Sequence, residues 1–257
     1  MKPRILITND DGIFAEGLRH LWEALSEQCD ITIIAPESEQ SGVGLAITFR
    51  QPLMVSKVRW ETSTEAWKVN GTPADCVRLG LSTILDQPPD LIVSGINRGS
   101  NSGRNLLYSG TVGGVVEGAL RGIPGIALSC VDFIKPDYAQ VTPYVLPLIQ
   151  ELIAHPLPAG TFLNINFPDS SPLRGIKLAR QGMGYWIEDI SQRTHPEGHP
   201  YYWMGGKWVE VAEEENSDVY LLQQGYAAAV PVNVNELTDH GVLSQHKERF
   251  DGRFVSK

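Results

Sequence analysis

The chain has 257 residues, 42% hydrophobic and 20% charged, long enough to bury a core without disulfide or metal staples and too apolar for ordinary disorder. Its 21 basic and 30 acidic residues leave a net charge of −9, which excludes a basic wrapper of duplex nucleic acid. An anionic substrate must then be captured by local devices, a cation or a set of backbone N–H groups, because the global field repels it.

Cys29, Cys76 and Cys130 are three in number and widely spaced. That excludes a zinc ribbon, argues against a disulfide framework and predicts a reducing, cytoplasmic setting. The N-terminal apolar run is too short for a signal peptide, and no run reaches the length of a membrane span, so no membrane partner is expected.

In chain order, Ile5-Leu6-Ile7 is a compact β-branched run that stops at Thr8-Asn9-Asp10-Asp11-Gly12 and predicts a first strand. Leu18, Leu21, Trp22 and Leu25 recur at helical spacing. Ile31 to Ile34, ended by Ala35-Pro36, predicts a second strand. A helix opens near Thr72-Pro73, with proline suited to the first position, and carries Val77, Leu81, Ile84 and Leu85. Leu91 to Val93 predicts a third strand and Ile126 to Leu128 a fourth, with a glycine-rich helix, Val112 to Leu120, between them. A further helix is expected from Pro143 to Ile153 and another strand from Thr161 to Phe167.

This alternation predicts a doubly wound, mainly parallel α/β sheet with helices on both faces, spanning residues 1–130 and completed by the next helix and strand. Residues 182–210 mix glycines with Tyr185, Trp186, Tyr201, Tyr202, Trp203 and Trp208, a pattern of β-hairpins. The expected division is a core over residues 1–175, then residues 176–257 as a hairpin-rich oligomerisation arm plus a final core segment. The acidic run Glu213 to Glu215 reads as a solvated turn.

Ligands of a doubly wound sheet bind beyond the carboxyl ends of its strands. Three such ends are polar and glycine-bearing: Asn9 to Gly12, Pro36 to Gly44 and Ser94 to Asn101. They should gather on one rim. Adjacent Asp10 and Asp11 repel each other when both are ionised, and a hard divalent cation with oxygen ligands relieves that repulsion. Equally, Asn9-Asp10-Asp11-Gly12 reads as a turn that caps the next helix. Ser109-Gly110-Thr111 opens the glycine-rich helix, where unpaired N–H groups favour phosphate; the competing reading is a simple helix cap. His195 and His199 are four apart, but Pro196, Gly198 and Pro200 rule out a metal-binding helix there. His240 and His246 would assist a leaving group only if the tail folded over the site.

Taken together these segments resemble the SurE family, the survival-protein E nucleotidases. The resemblance is carried by Ile7 to Gly12, Ala35-Pro36 with Gln40-Ser41-Gly42, Val69 to Val77, Ser94 to Asn101, Tyr108 to Gly113 and Leu163 to Pro168, in the family's order. It covers residues 4–168 by clear motifs. The last third keeps only a loose version, in Asp218, Gly225-Tyr226 and Pro231.

The resemblance implies a metal-dependent phosphatase acting on nucleoside monophosphates, 5′- and/or 3′-nucleotides. It implies Asp10, Asp11, Ser41 and Asn97 as metal ligands. Asn9, Asn101, Ser109, Gly110 and Thr111 become the phosphate set, with Asp10, Asp11 and Asn101 catalytic. One Mg²⁺ or Mn²⁺ per subunit follows, as does a homodimer or homotetramer with exchanged C-terminal arms. The rival reading is an α/β protein that binds nucleotide or metal without turnover, and a sugar-nucleotide transferase is a third.

Overall fold

The computed structural model describes residues 2–62, 64–169 and 172–254. Its centre is β1 (Arg4–Thr8), where successive side chains serve opposite faces of the sheet. Ile5 and Ile7 pack into the layer formed by α1 (Glu16–Leu25) and α4 (Tyr138–Ala154), against Leu18, Leu21, Val141, Val145 and Ile149. Leu6 faces the other way, toward Val77 of α2 (Pro73–Leu79) and Ile34 of β2 (Asp30–Pro36). Burial on both faces is the reason the early strands read as unbroken apolar runs rather than alternating ones.

The remaining elements are β3 (Val55–Val58), β4 (Glu65–Val69), β5 (Leu91–Arg98), α3 (Gly110–Ala119), β6 (Gly125–Cys130), β7 (Thr161–Phe167), β8 (Ile176–Leu178), β9 (Tyr185–Thr194), β10 (Pro200–Val209), α5 (Asp218–Gln223), β11 (Ala227–Asn233) and α6 (His240–Phe254). The main sheet has nine strands in the order β3-β4-β2-β1-β5-β6-β7-β11-β8. From β4 to β7 all pairings are parallel, while β3 and β11 are antiparallel to β4 and β7. The doubly wound, mainly parallel α/β architecture is therefore present, and the chain winds outward from β1 in both directions. The crevice at that reversal lies between the ends of β1, β2 and β5.

Several expectations need correction. Leu91 to Val93 opens the fifth strand, because β3 and β4 precede it as a short, half-polar edge pair. The helix from Thr72 has regular α geometry only to Leu79, then widens into a π-helical turn from Gly80 to Ile84. Its start is as the sequence predicts: Thr72 and Asp75 form a reciprocal capping box with Pro73 in the first turn. Helix α4 starts five residues before Pro143, capped by the Asp137 carboxylate, and runs through Pro143 and Pro147. Its buried stripe of Tyr138, Val141, Val145, Ile149 and Leu152 outweighs two missing backbone donors.

Nor does β7 complete the sheet. The chain lays β8 at the edge before it leaves for the arm, and returns to insert β11 between β7 and β8. Pro231 is tolerated in β11 because β8 pairs only with Ala227 to Ala229, leaving Pro231 without a neighbour on that side.

Strands β9 and β10 form their own two-stranded antiparallel ribbon, paired from Tyr185↔Val209 to Thr194↔Pro200. Trp186 and Trp208 meet edge to face near its root, at 5.8 Å between ring centroids. Trp203 and Met204 further out are 66% and 75% exposed. Among the described residues no helix is long and apolar enough to cross a membrane, and all three cysteines are buried and free.

Candidate active site at the strand ends

The strand-end segments converge as topology requires. Strand β1 ends directly in Asn9, Asp10 and Asp11, of which Asn9 and Asp10 are buried and Asp11 is half-buried. The Asn9 side-chain amide donates to the Gly12 carbonyl at 2.9 Å, so the turn reading of this segment is realised. The same segment is also brought against the other two strand ends. The Gln40 N–H donates to the Asp10 carbonyl oxygen at 2.7 Å, bringing the loop after β2 over the end of β1. On the other side, the Arg98 N–H of β5 donates to the Asp11 carboxylate at 3.2 Å.

Thr111, at the start of α3, donates its hydroxyl to Asp10 Oδ1 at 2.5 Å. The Asn101 amide lies 3.5 Å from the same hydroxyl and donates to Ser129 Oγ at 2.8 Å. A chain of polar groups thus runs from the first strand's carboxylate to the expected phosphate set. Ser109 caps α3 by accepting from the Val112 N–H at 3.1 Å, which leaves its own O–H to donate elsewhere. Gly110 is dictated by space: a Cβ there would fall 2.8 Å from Asp10 Cβ and 3.1 Å from the Gln40 carbonyl.

Asn97 donates its amide to the Gly99 carbonyl at 2.8 Å, so its side-chain oxygen remains an acceptor. Ser41 is exposed on the loop after β2, with its hydroxyl donating to Glu39 at 2.7 Å. Glu39 in turn lies 3.7 Å from the Arg98 guanidinium.

The electrostatics of Asp10 are those of a carboxylate lacking a counter-charge. Burial pushes it up from 3.8 to about 6, the Thr111 hydroxyl pulls it down, and the neighbouring Asp11 charge adds to the rise. Asp11 is also raised, chiefly by burial, against the lowering effect of the Arg98 N–H. Asn9 Oδ1 is buried without a hydrogen-bond partner among the described residues. Two carboxylates, an amide oxygen and a hydroxyl are hard oxygen donors, and this set fits a divalent cation.

Three positions were missing from the sequence-based site. Asn164 and Asn166 of β7 are fully buried: Asn166 Oδ1 accepts from the Asn101 N–H at 2.8 Å, and the Asn164 amide donates to the Asn101 carbonyl at 2.9 Å. Ser129 of β6 holds the Asn101 side chain. The signal was available, since Leu163-Asn164-Ile165-Asn166-Phe167 puts two asparagines on one face of an otherwise apolar strand. Glu213 also departs from the expected solvated turn, accepting from the Met183 and Gly184 N–H groups at 2.8 and 2.9 Å. His240 and His246 lie on α6, a helix with no buried residue, and His240 sits 3.5 Å from Glu236.

The chain is similar to known proteins along nearly its whole length. The sequence profile of the family described as Survival protein SurE matches residues 5–188. A protein from Protochlamydia amoebophila named 5′-nucleotidase SurE is 47% identical over 254 residues, covering 97% of each chain. One of the same name from Pelotomaculum thermopropionicum is 43% identical over 250 residues, covering 95% of this chain and 94% of that one. The crystal structure of the SurE protein from Aquifex aeolicus superposes with a TM-score of 0.82 at 35% identity, covering 97% of this chain and all of that one.

Proposed function

The chain belongs to the SurE family, and from that membership and the strand-end geometry we propose that it hydrolyses nucleoside monophosphates to nucleoside and phosphate with a divalent metal ion. The observation that carries this reading is the linked set Asp10–Thr111–Asn101, lying against the N-terminus of α3. In this reading Asp10, Asp11, Ser41 and Asn97 hold one Mg²⁺ or Mn²⁺ per subunit. When bound, the cation supplies positive charge to a phosphoryl oxygen and makes a water more acidic.

The chain's own groups do the rest. The Thr111 hydroxyl fixes Asp10 Oδ1, so the carboxylate cannot rotate away from the rim. Thr111 spends its O–H on that bond and turns its backbone N–H to the same carboxylate, so its part in phosphate binding is to hold Asp10 in place beside the positive end of α3. Ser109 offers its O–H, and Gly110 lets an oxyanion approach the backbone. The Asn101 amide gives one N–H to Ser129 Oγ at 2.8 Å and the other to the Thr111 hydroxyl at a long 3.5 Å, and that weak contact is the one a phosphoryl oxygen would displace in the transition state. Asn9 reaches phosphate through the second N–H of its amide, the first being given to the Gly12 carbonyl, while its unpaired side-chain oxygen is an acceptor suited to a cation.

Residues 1–175 carry every one of these groups, and residues 176–257 supply the arm and the last core strands. The exposed aromatic ribbon supports subunits that exchange arms in a homodimer or homotetramer. Buried free thiols support a cytoplasmic location.

The test is phosphate release from a panel of 5′- and 3′-nucleotides, abolished by EDTA and restored by Mg²⁺ or Mn²⁺. Loss of outer groups around a metal costs 10- to 100-fold, so Asp10→Ala should lose about 100-fold or more with unchanged circular dichroism. Near-normal turnover of that variant would overturn the assignment. Metal-dependent nucleotide binding without phosphate release would favour a binding protein.

A further inference from the structure

The tip of the arm gathers a second set of metal-ligating side chains. β9 and β10 are joined by His195-Pro196-Glu197-Gly198-His199. The turn is closed by the His195 N–H donating to the His199 carbonyl and the Gly198 N–H to the His195 carbonyl, each at 2.8 Å. Gly198 has φ +92°, a left-handed conformation that a residue with a Cβ adopts only under strain. Pro196 and Pro200 restrict the backbone on either side.

The consequence is that His195, Glu197 and His199 converge. Glu197 Oε2 lies 3.7 Å from His195 Nδ1 and 3.4 Å from His199 Nε2. One ligand atom from each residue falls within 4.8 Å of the others, and this is the one such group of three among the described residues. The two imidazoles stack at 5.2 Å between centroids. Elsewhere histidines meet carboxylates four residues away in sequence, as His155 meets Glu151 or His240 meets Glu236.

We propose that the hairpin tip binds a divalent transition metal ion of the class that favours imidazole, with Zn²⁺ as the representative. Two imidazole nitrogens and one carboxylate are a poor set for Mg²⁺, which requires oxygens, and a good one for Zn²⁺, Ni²⁺ or Cu²⁺. Tip and strand-end site therefore select different ions. All three side chains are exposed, and His195 Nδ1 accepts from the Glu197 N–H at 3.3 Å, so coordination through that nitrogen displaces this long bond, with water completing the coordination. Chelation across the turn ties the outer end of β9 to that of β10. That is where support is needed, because a two-stranded ribbon is marginal when unsupported.

The experiment is a Zn²⁺ titration of the full chain in excess Mg²⁺, which fills the oxygen-rich site, followed by calorimetry and by the imidazole proton resonances of the six histidines. The expected result is Zn²⁺ uptake that shifts the resonances of His195 and His199, is lost in His195→Ala/His199→Ala, and is weakened in Glu197→Gln. Zn²⁺ that leaves both resonances in place, or a double variant with undiminished uptake, would overturn the proposal.

Discussion

Asp10 is 5% exposed and next to a second acid, with one hydroxyl as its nearest hydrogen-bond donor. Its carboxyl is therefore raised from 3.8 to about 6, and the sign of the consequence is fixed. Between those two pH values the native metal-free chain binds more protons than the unfolded one. The Asp10 contribution to stability is greatest below about pH 4 and falls as pH rises to about 6, by roughly 3 kcal/mol for a shift of this size. Asp11 moves in the same direction. Urea unfolding in EDTA should show this loss, and Asp10→Asn should flatten most of it. Metal affinity runs the other way, rising through the same interval, because a ligand carboxylate must lose its proton to bind. Gly110→Ala is the sharpest steric probe: its Cβ would press on Asp10 Cβ at 2.8 Å. We expect about 1–3 kcal/mol of destabilisation from overpacking and a large fall in turnover, measured by thermal unfolding and phosphate release.

The loop bearing Asn101 is held by elements far from it in sequence. Strand β7 contributes Asn164 and Asn166, which satisfy the carbonyl and N–H of Asn101. Asn166→Ala leaves that buried N–H without its partner, and the expected cost is about 1–3 kcal/mol, together with a fall in kcat. Helix α5 contributes Asp218, fully buried, whose carboxylate accepts from the N–H groups of Gly103, Gly182 and Val219 at 3.0, 2.8 and 2.7 Å. One side chain thus fastens the turn from Gly103 to Tyr108, which leads into Ser109, to the root of the arm. The Arg104 N–H reinforces this by donating to the Gly184 carbonyl at 2.9 Å. Asp218→Ala orphans three donors and should cost on the order of 3 kcal/mol or more, with Asp218→Asn recovering part of it. Chemical denaturation of the two variants checks the order.

The assembly question rests on the ribbon of β9 and β10, which carries its large side chains into solvent. Replacing residues 186–208 with a short glycine-serine turn removes the ribbon and leaves all nine strands of the main sheet. If arms are exchanged between subunits, this variant should keep its far-ultraviolet spectrum and sediment as a monomer. Retention of the parent's assembly would show that another surface, such as the unburied face of α6, joins the subunits.

Patterns within a few residues of one another were legible without coordinates. Ile5-Leu6-Ile7 ending in two acids, the stripe from Leu18 to Leu25, the cap at Thr72-Pro73 and the ordered motifs from Ile7 to Pro168 identify the sheet, its family and the residues to inspect. The strands at Val55 and Glu65 were not legible, because short half-polar edge strands take their pairing from neighbours rather than from an apolar run of their own. Helix α4 was misplaced at its start because burial of a stripe can override proline, and burial is a property of the packed molecule. The bond between Thr111 and Asp10 joins residues 101 positions apart. It exists because β1 sits between β2 and β5, so three loops arrive at one rim. Such a contact follows from strand order, and local chemistry contains no record of strand order.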